Sequence, residues 1–372
     1  MSQMTRVVHA ISKGVLMQKH YWCFLTLPML LGNGCRENPG GPPEPSGVLP
    51  GIANAVYVLN EGNYNDPTGA RLTVYDIDRD TVYKDVFEIA NNGQHLGSTG
   101  DDLKLYQGKA YILMSHSENI DIISLETHQL LRSATFPGSI PREMLVDTSR
   151  NVLYVSCTNT GVVYILDPAT LAVINSIQVG ANPLGMALAR ERLFVCNSGY
   201  GAGRTVSVVD TRTDTVTATI ELSDGPSSAA VAPDGRVWVV CSGNQFGTPP
   251  TNGKLFIVNS TSLAVEDSIV FSESLWGSIA MGTNGYAYVT SVAGFYGGPI
   301  DRISVVSKTV QSSFISDTSY AMAVDEVTGA VYVANAAGFS ADGVVSIYSS
   351  DGVLRKRFVA QRGPGAIAFK HQ

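Results

Sequence analysis

Charge is what this 372-residue chain has least of. Asp, Glu, Lys and Arg make up 15% of it, against about 25% in an ordinary soluble protein, which excludes a coiled coil and a disordered charged tail. What charge there is leans acidic, with 25 Lys and Arg against 32 Asp and Glu and a net of -7. No basic face is on offer to a phosphate backbone, so nucleic acid is not an expected partner. Long apolar runs are scarce as well. Only Tyr21 to Leu31 nears spanning length, which excludes a polytopic membrane protein. Cysteine is rare at five. Cys157, Cys196 and Cys241, odd in number and alike in position, read as small buried side chains rather than a disulfide framework. G-x-S-x-G, H-E-x-x-H and a nucleotide-binding Gly-rich loop are all missing.

Glycine (37) and tyrosine (16) are plentiful, which suits many short strands joined by turns. A strand with a central aromatic recurs around Tyr57, Tyr111, Tyr154, Phe194, Trp238, Tyr288 and Tyr332. A repeat of this length marks an array of small sheets. After each copy come a loop, an apolar strand, a tight turn such as Asp167-Pro168-Ala169-Thr170, and a further strand such as Val173–Val179. Another strand, often opened by proline, precedes each aromatic one: Pro141–Val146, Pro183–Ala189 and Pro226–Ala232 are examples. Tyr57 has no such strand before it. Gly363–Phe369, at the far end, supplies it. The pattern predicts an all-β, seven-bladed β-propeller over residues 53–370, its ring closed by the C-terminal strand in the first blade. Closure leaves only short, protected edges.

Residues 1–35 read as a signal peptide: Arg6, Lys13 and Lys19, then the apolar run, then Gly32-Asn33-Gly34-Cys35. A Cys behind small residues is the acylation site of a bacterial lipoprotein, although Gly32 stands where such signals carry Leu. A plain signal peptide or a single anchor helix is the alternative, and translation from Met17 would give a signal of more ordinary length. Residues 36–52 form a Pro/Gly-rich tether. Without residues 1–35 the chain keeps 22 basic and 32 acidic residues. That acidity gives no attraction to anionic lipid, so an acyl chain would do the anchoring.

With strands lettered A to D from the centre outward, the A–B and C–D turns lie on one face and the B–C and D–A connections on the other. The first set is uniformly tight. The second carries aromatics flanked by glycine, and function favours loops held on a rigid scaffold. The candidate ligand-binding residues are Tyr64, His95, His116, Arg142, Tyr200, Phe246, Trp276, Phe295, Tyr296, Tyr320 and Phe339. His95 and His116 begin a metal site that still needs a third ligand, and no metal or other cofactor is expected. Asp76-Ile77-Asp78-Arg79-Asp80 reads as an outer hairpin turn rather than a calcium loop, which would need a later Gly and Glu. Asp101, Asp102 and Glu143 belong to inner strands. They either face the channel as acid–base groups or serve a distorted strand start and an ion pair with Arg142 or a neighbouring blade.

The aromatic strand, the Asp-x-x-Thr turns and Val179-Gly180-Ala181-Asn182-Pro183 resemble the YVTN-type, YncE-like propeller repeat. Val58-Leu59-Asn60-Glu61-Gly62-Asn63 and the closing Gly363–Lys370 look like the ends of surface lipoprotein propellers of Bacteroidetes. Some of those capture cobalamin for a TonB-dependent outer-membrane transporter. The resemblance implies a lipid-anchored, non-enzymatic binding protein of the cell envelope, at the outer membrane or cell surface, whose ligand is a small molecule or nutrient. The alternatives are a metal-dependent lactonase or lyase, and a protein-interaction scaffold.

Overall fold

A computed structural model describes residues 51–291 and 296–372. Its 28 strands, β1 to β28 in chain order, form seven four-stranded antiparallel sheets. Blade 1 pairs β28 (Pro364–Lys370) with β1 (Ala55–Asn60), then β2 (Arg71–Asp76) and β3 (Thr81–Tyr83). The last strand of the chain therefore lies innermost beside the first, in a register that sets Tyr57 opposite Ala368. The remaining innermost strands are β4 (Gly100–Tyr106), β8 (Pro141–Asp147), β12 (Pro183–Ala189), β16 (Pro226–Val231), β20 (Leu275–Met281) and β24 (Ala321–Val324). One short helix, α1 (Val86–Ala90), interrupts the connection from blade 1 to blade 2. Periodicity in the sequence does not mark it, because five residues are too few for a helical pattern.

The repeated aromatics form the packing between blades. Tyr57, Tyr111, Tyr154, Phe194, Trp238, Tyr288 and Tyr332 are all buried, most of them completely. Several also reach the outer turn of the next blade. The Tyr111 hydroxyl donates to the carbonyl of Pro168 at 2.7 Å, and Tyr57 meets His128 at 2.9 Å. Burial pushes the His128 imidazole down to about 4, so it is neutral in that contact. Arg150 bonds both Tyr154 and, across the blade boundary, Asp214 at 2.7 Å each. Each outer turn is in turn closed by its own side chain: Asp76 Oδ1 accepts from the backbone of Asp78 and Arg79. The Asp76–Asp80 segment is thus a hairpin turn, as its spacing predicts.

Cys157, Cys196 and Cys241 lie at or next to the last residue of the aromatic strands of three successive blades as free, fully buried thiols. Burial pushes Cys157 and Cys241 up to about 12, which keeps them protonated and unreactive. Residues 1–50, Cys35 among them, lie outside the described residues.

Candidate functional site

In six of the seven blades, strand A begins with a break in its pairing to strand B. The register skips residues between Gly100 and Asp102, Pro141 and Glu143, Pro183 and Met186, Pro226 and Ser228, Leu275 and Ile279, and Pro364 and Ala366. Four of these breaks start at a proline, which has no N–H to continue the ladder. A bulge frees the skipped residue from pairing and re-aims its side chain. Asp101, Arg142, Leu184, Gly185, Ser227, Gly277, Ser278 and Gly365 are skipped in this way, and all of them line one cavity of about 290 Å³. Glu61, Glu143, Ser228 and Tyr320 complete the wall. The cavity sits where the A strands start, on the face of the B–C and D–A connections.

Two glycines make this close approach possible. A Cβ on Gly185 would lie 2.6 Å from the carbonyl oxygen of Ser227 in the next blade. One on Gly365 would lie 2.8 Å from the Glu61 carboxylate.

The wall has a charged side and a neutral side. Blades 1, 2, 3 and 7 supply Glu61, Asp101, Arg142, Glu143 and Tyr320. The Tyr320 hydroxyl donates to Glu61 Oε1 at 2.6 Å, and Arg142 Nη1 lies 2.8 Å from Asp101 Oδ2. Glu143 accepts the backbone N–H of Met186, in blade 4, at 3.0 Å. Behind the wall, Lys104 pairs with Asp102 at 2.9 Å, and Asp102 also accepts the N–H of Met144. Burial, and then the charge of Asp101, push the Glu61 carboxyl up to about 8. Burial opposed by Lys104 leaves Glu143 at about 7. Asp101 is raised by burial too, with Arg142 working against the rise. Blades 4, 5 and 6 add no charge to the wall; they give Leu184, Gly185, Ser227, Ser228, Gly277 and Ser278.

Of the residues predicted from sequence, Arg142 and Tyr320 line this cavity. Arg142 and Trp276 belong to strands β8 and β20, inside the inner strands read from the sequence, rather than to the connections before them. Phe339 and Tyr296 form a bridge from rim to wall. Their rings are 5.6 Å apart, and Phe339 meets Tyr320 edge-on at 5.2 Å. Tyr64, Tyr200 and Phe246 stand in solvent at 67%, 69% and 89% exposure, outside the cavity lining. His116 bonds the Tyr64 hydroxyl at 2.9 Å, while His95 faces Glu88 of α1 at 3.6 Å. The two imidazoles therefore take different partners, and among the described residues no three His, Cys, Asp or Glu side chains gather as metal ligands. Phe295 lies outside the described residues.

Glu61 and the inner serines were missed as candidates. Glu61 sits in the Asn60-Glu61-Gly62 segment at the end of β1, and only ring closure brings it to the channel. Ser227 and Ser228 carry no sequence signal apart from Pro226 just upstream, and Ser278 lacks even that.

The family model that matches the chain, over residues 54–341, is described as a domain of unknown function, DUF5074. The chain belongs to this family. Among curated proteins none matches it in sequence. Solved propellers resemble this DUF5074 member in fold. A 6-phosphogluconolactonase candidate from Bacteroides uniformis is 14% identical, with a TM-score of 0.65 over 85% of this chain and 99% of its own. A quinoprotein alcohol dehydrogenase-like protein from Bacteroides thetaiotaomicron is 15% identical, with a TM-score of 0.63 over 86% and 78%. A streptogramin B lyase is 11% identical, with a TM-score of 0.57 over 73% and 90%. At these identities the likeness concerns the fold alone.

Proposed function

We propose that this protein is a non-enzymatic binding protein of the cell envelope that holds a small or medium nutrient ligand at the mouth of its channel. The observation that carries this reading is the cavity itself. All seven blades contribute to its wall, and the bulges of six of them line a rigid, preformed concavity. Preorganisation of that kind lowers the entropic cost of binding. At about 290 Å³ the cavity falls at the small end of ligand sites. A corrinoid would therefore rest on the rim, against Tyr296 and Phe339, and send only a side group inward. Lipidation at Cys35 and the tether of residues 36–52 would hold the ring off the membrane, at the outer membrane or cell surface, and let it pass ligand to a TonB-dependent transporter.

The test is calorimetric titration with cobalamins and smaller nutrients, with the melting temperature followed in parallel. Saturable heat with a raised midpoint supports capture. An unchanged midpoint and no heat across the panel would remove it.

One observation favours a second reading, an acid–base enzyme. Glu61 and Glu143 titrate near neutrality in a cleft, and Tyr320 donates to Glu61, an arrangement suited to proton transfer. The described residues do not fit a metal-dependent form of it. Turnover of lactones that disappears in Glu61→Gln would establish catalysis; no turnover at any pH would dismiss it.

A further inference from the structure

The two sides of the cavity wall differ in chemistry, and on one of them three carboxyl groups, Glu61, Asp101 and Glu143, face a single cation, Arg142. Asp101 has Arg142 beside it, and Lys104 is engaged by Asp102 behind the wall. Glu61 and Glu143 line the same space, and neither forms a salt bridge among the described residues. Asp101 is held in an ion pair, with Arg142 Nη1 2.8 Å from its Oδ2, so the one cation of the wall is already engaged.

We propose that the cavity binds a small organic cation, a primary amine that also carries hydroxyl groups, with its ammonium held by Glu61, Glu143 and Asp101 and its hydroxyls against Ser227, Ser228 and Ser278. The inference rests on the binding reading above and narrows it to a ligand class. Three properties of the site select this chemistry. The carboxyl groups are spread across the wall rather than gathered at one ion-sized point, since no metal-ligand cluster forms among the described residues; that favours an extended cation over a metal ion. The volume of about 290 Å³ equals roughly ten waters, enough for a chain of similar heavy-atom count. On the neutral side, the Ser227 hydroxyl donates to backbone carbonyls, those of Val240 and Gly277 being 3.2 and 3.3 Å away. Its lone pairs are left to accept from a ligand hydroxyl.

Binding is coupled to proton release. Glu61 is faced by the Tyr320 hydroxyl, Asp101 and Arg142, and Glu143 by Lys104, Asp102, the Met186 N–H and the buried Cys196 thiol. At neutral pH these two carboxyls, at about 8 and about 7, retain protons. An arriving ammonium favours their ionised forms and displaces those protons, so affinity rises with pH until both are ionised.

The probes are glucamine, its neutral isostere sorbitol, and gluconate as the anion, titrated into the purified full chain in two buffers of different ionisation enthalpy. Glucamine is expected to bind at least about tenfold more tightly than sorbitol, with protons released. Its affinity is expected to climb by up to about tenfold per pH unit for each proton displaced. Glu61→Gln and Glu143→Gln keep side-chain shape, and their folding is checked by melting. Each is expected to weaken glucamine about tenfold and to remove part of the proton release. Equal affinity for sorbitol, binding without proton release, full affinity in both Gln variants, or no glucamine binding at millimolar concentration would each overturn the proposal. Failure of this inference is separable from failure of the binding reading. Sorbitol or gluconate binding that Ser228→Trp abolishes would sink the cation and leave the cavity as a binding site. Ligand binding of any kind that Ser228→Trp leaves untouched would sink both.

Discussion

On the face that carries the A–B and C–D turns, one blade is clipped to the next. Tyr57 reaches His128, Tyr111 reaches the Pro168 carbonyl, Arg150 reaches Asp214, and Lys308 lies over the Trp238 ring at 4.8 Å. On the opposite face several B–C connections are longer, large aromatics stand in solvent, and six of the A strands open with bulges around a polar cavity. The same four-stranded unit ends in both ways. Contacts between blades are concentrated where turns are short and side chains reach across the boundary. The other face holds buried carboxyls away from their ordinary titration range, a pattern that functional sites share. The comparison makes separate demands on the two faces, and substitutions can pull them apart.

The largest effect is expected at the clipped face. Trp238→Ala removes a fully buried indole between blades. It should cost about 3–5 kcal/mol in urea unfolding, while whatever folded protein remains binds ligand normally. Next comes Arg142→Ala at the cavity. It takes the cation from Asp101, and because the Arg142 side chain is more than a third exposed, the loss is discounted to about 1–2 kcal/mol at neutral pH. Arg142 restrains the rise of the Asp101 carboxyl, so without it that group protonates more readily and the defect should shrink as pH falls. A defect that grows on acidification would contradict this assignment of the pair.

Legibility from sequence followed the same division. The clipped face is written in a regular aromatic strand and short Asp-led turns, features that are local and repeat, so the ring and its closure by Gly363–Phe369 could be read directly. The cavity face is not written that way. Asp101, Arg142 and Ser227 reach the channel because a bulge cancels the period-two alternation that sequence reading relies on. Glu61 becomes a neighbour of Tyr320 only across 259 residues of chain, when blade 7 meets blade 1. The exposed aromatics drew attention because Gly-flanked loops advertise them. Tyr200 and Phe246 lie outside the cavity wall all the same, and Tyr320, whose hydroxyl donates to Glu61, sits on it.

Smaller effects sharpen the contrast. Tyr111→Phe removes one hydroxyl from the clipped face and should cost about 1 kcal/mol, read from the denaturation midpoint. The cavity carboxyls predict a slope with pH. In the folded protein Glu61 and Glu143 stand at about 8 and about 7, above the ordinary carboxylate value of 4.5. Folding therefore takes up protons in that window. Their contribution to stability is full below about 4.5 and is lost as pH rises through 7 and then 8. Glu143→Gln should flatten the lower part of that decline and Glu61→Gln the upper part; a slope unchanged in both would place its origin elsewhere. Phe246→Ser, on an 89% exposed ring, should leave stability within about 0.5 kcal/mol, so a large loss there would mean that the loop face carries structural weight.

Binding at the channel mouth stands or falls on titrating the ligand panel into the native protein and into Ser228→Trp, which fills the cavity from the wall of blade 5. Saturable binding with a raised melting midpoint is expected in the native protein, and neither in the filled variant while it remains folded. Equal binding by both proteins would contradict it.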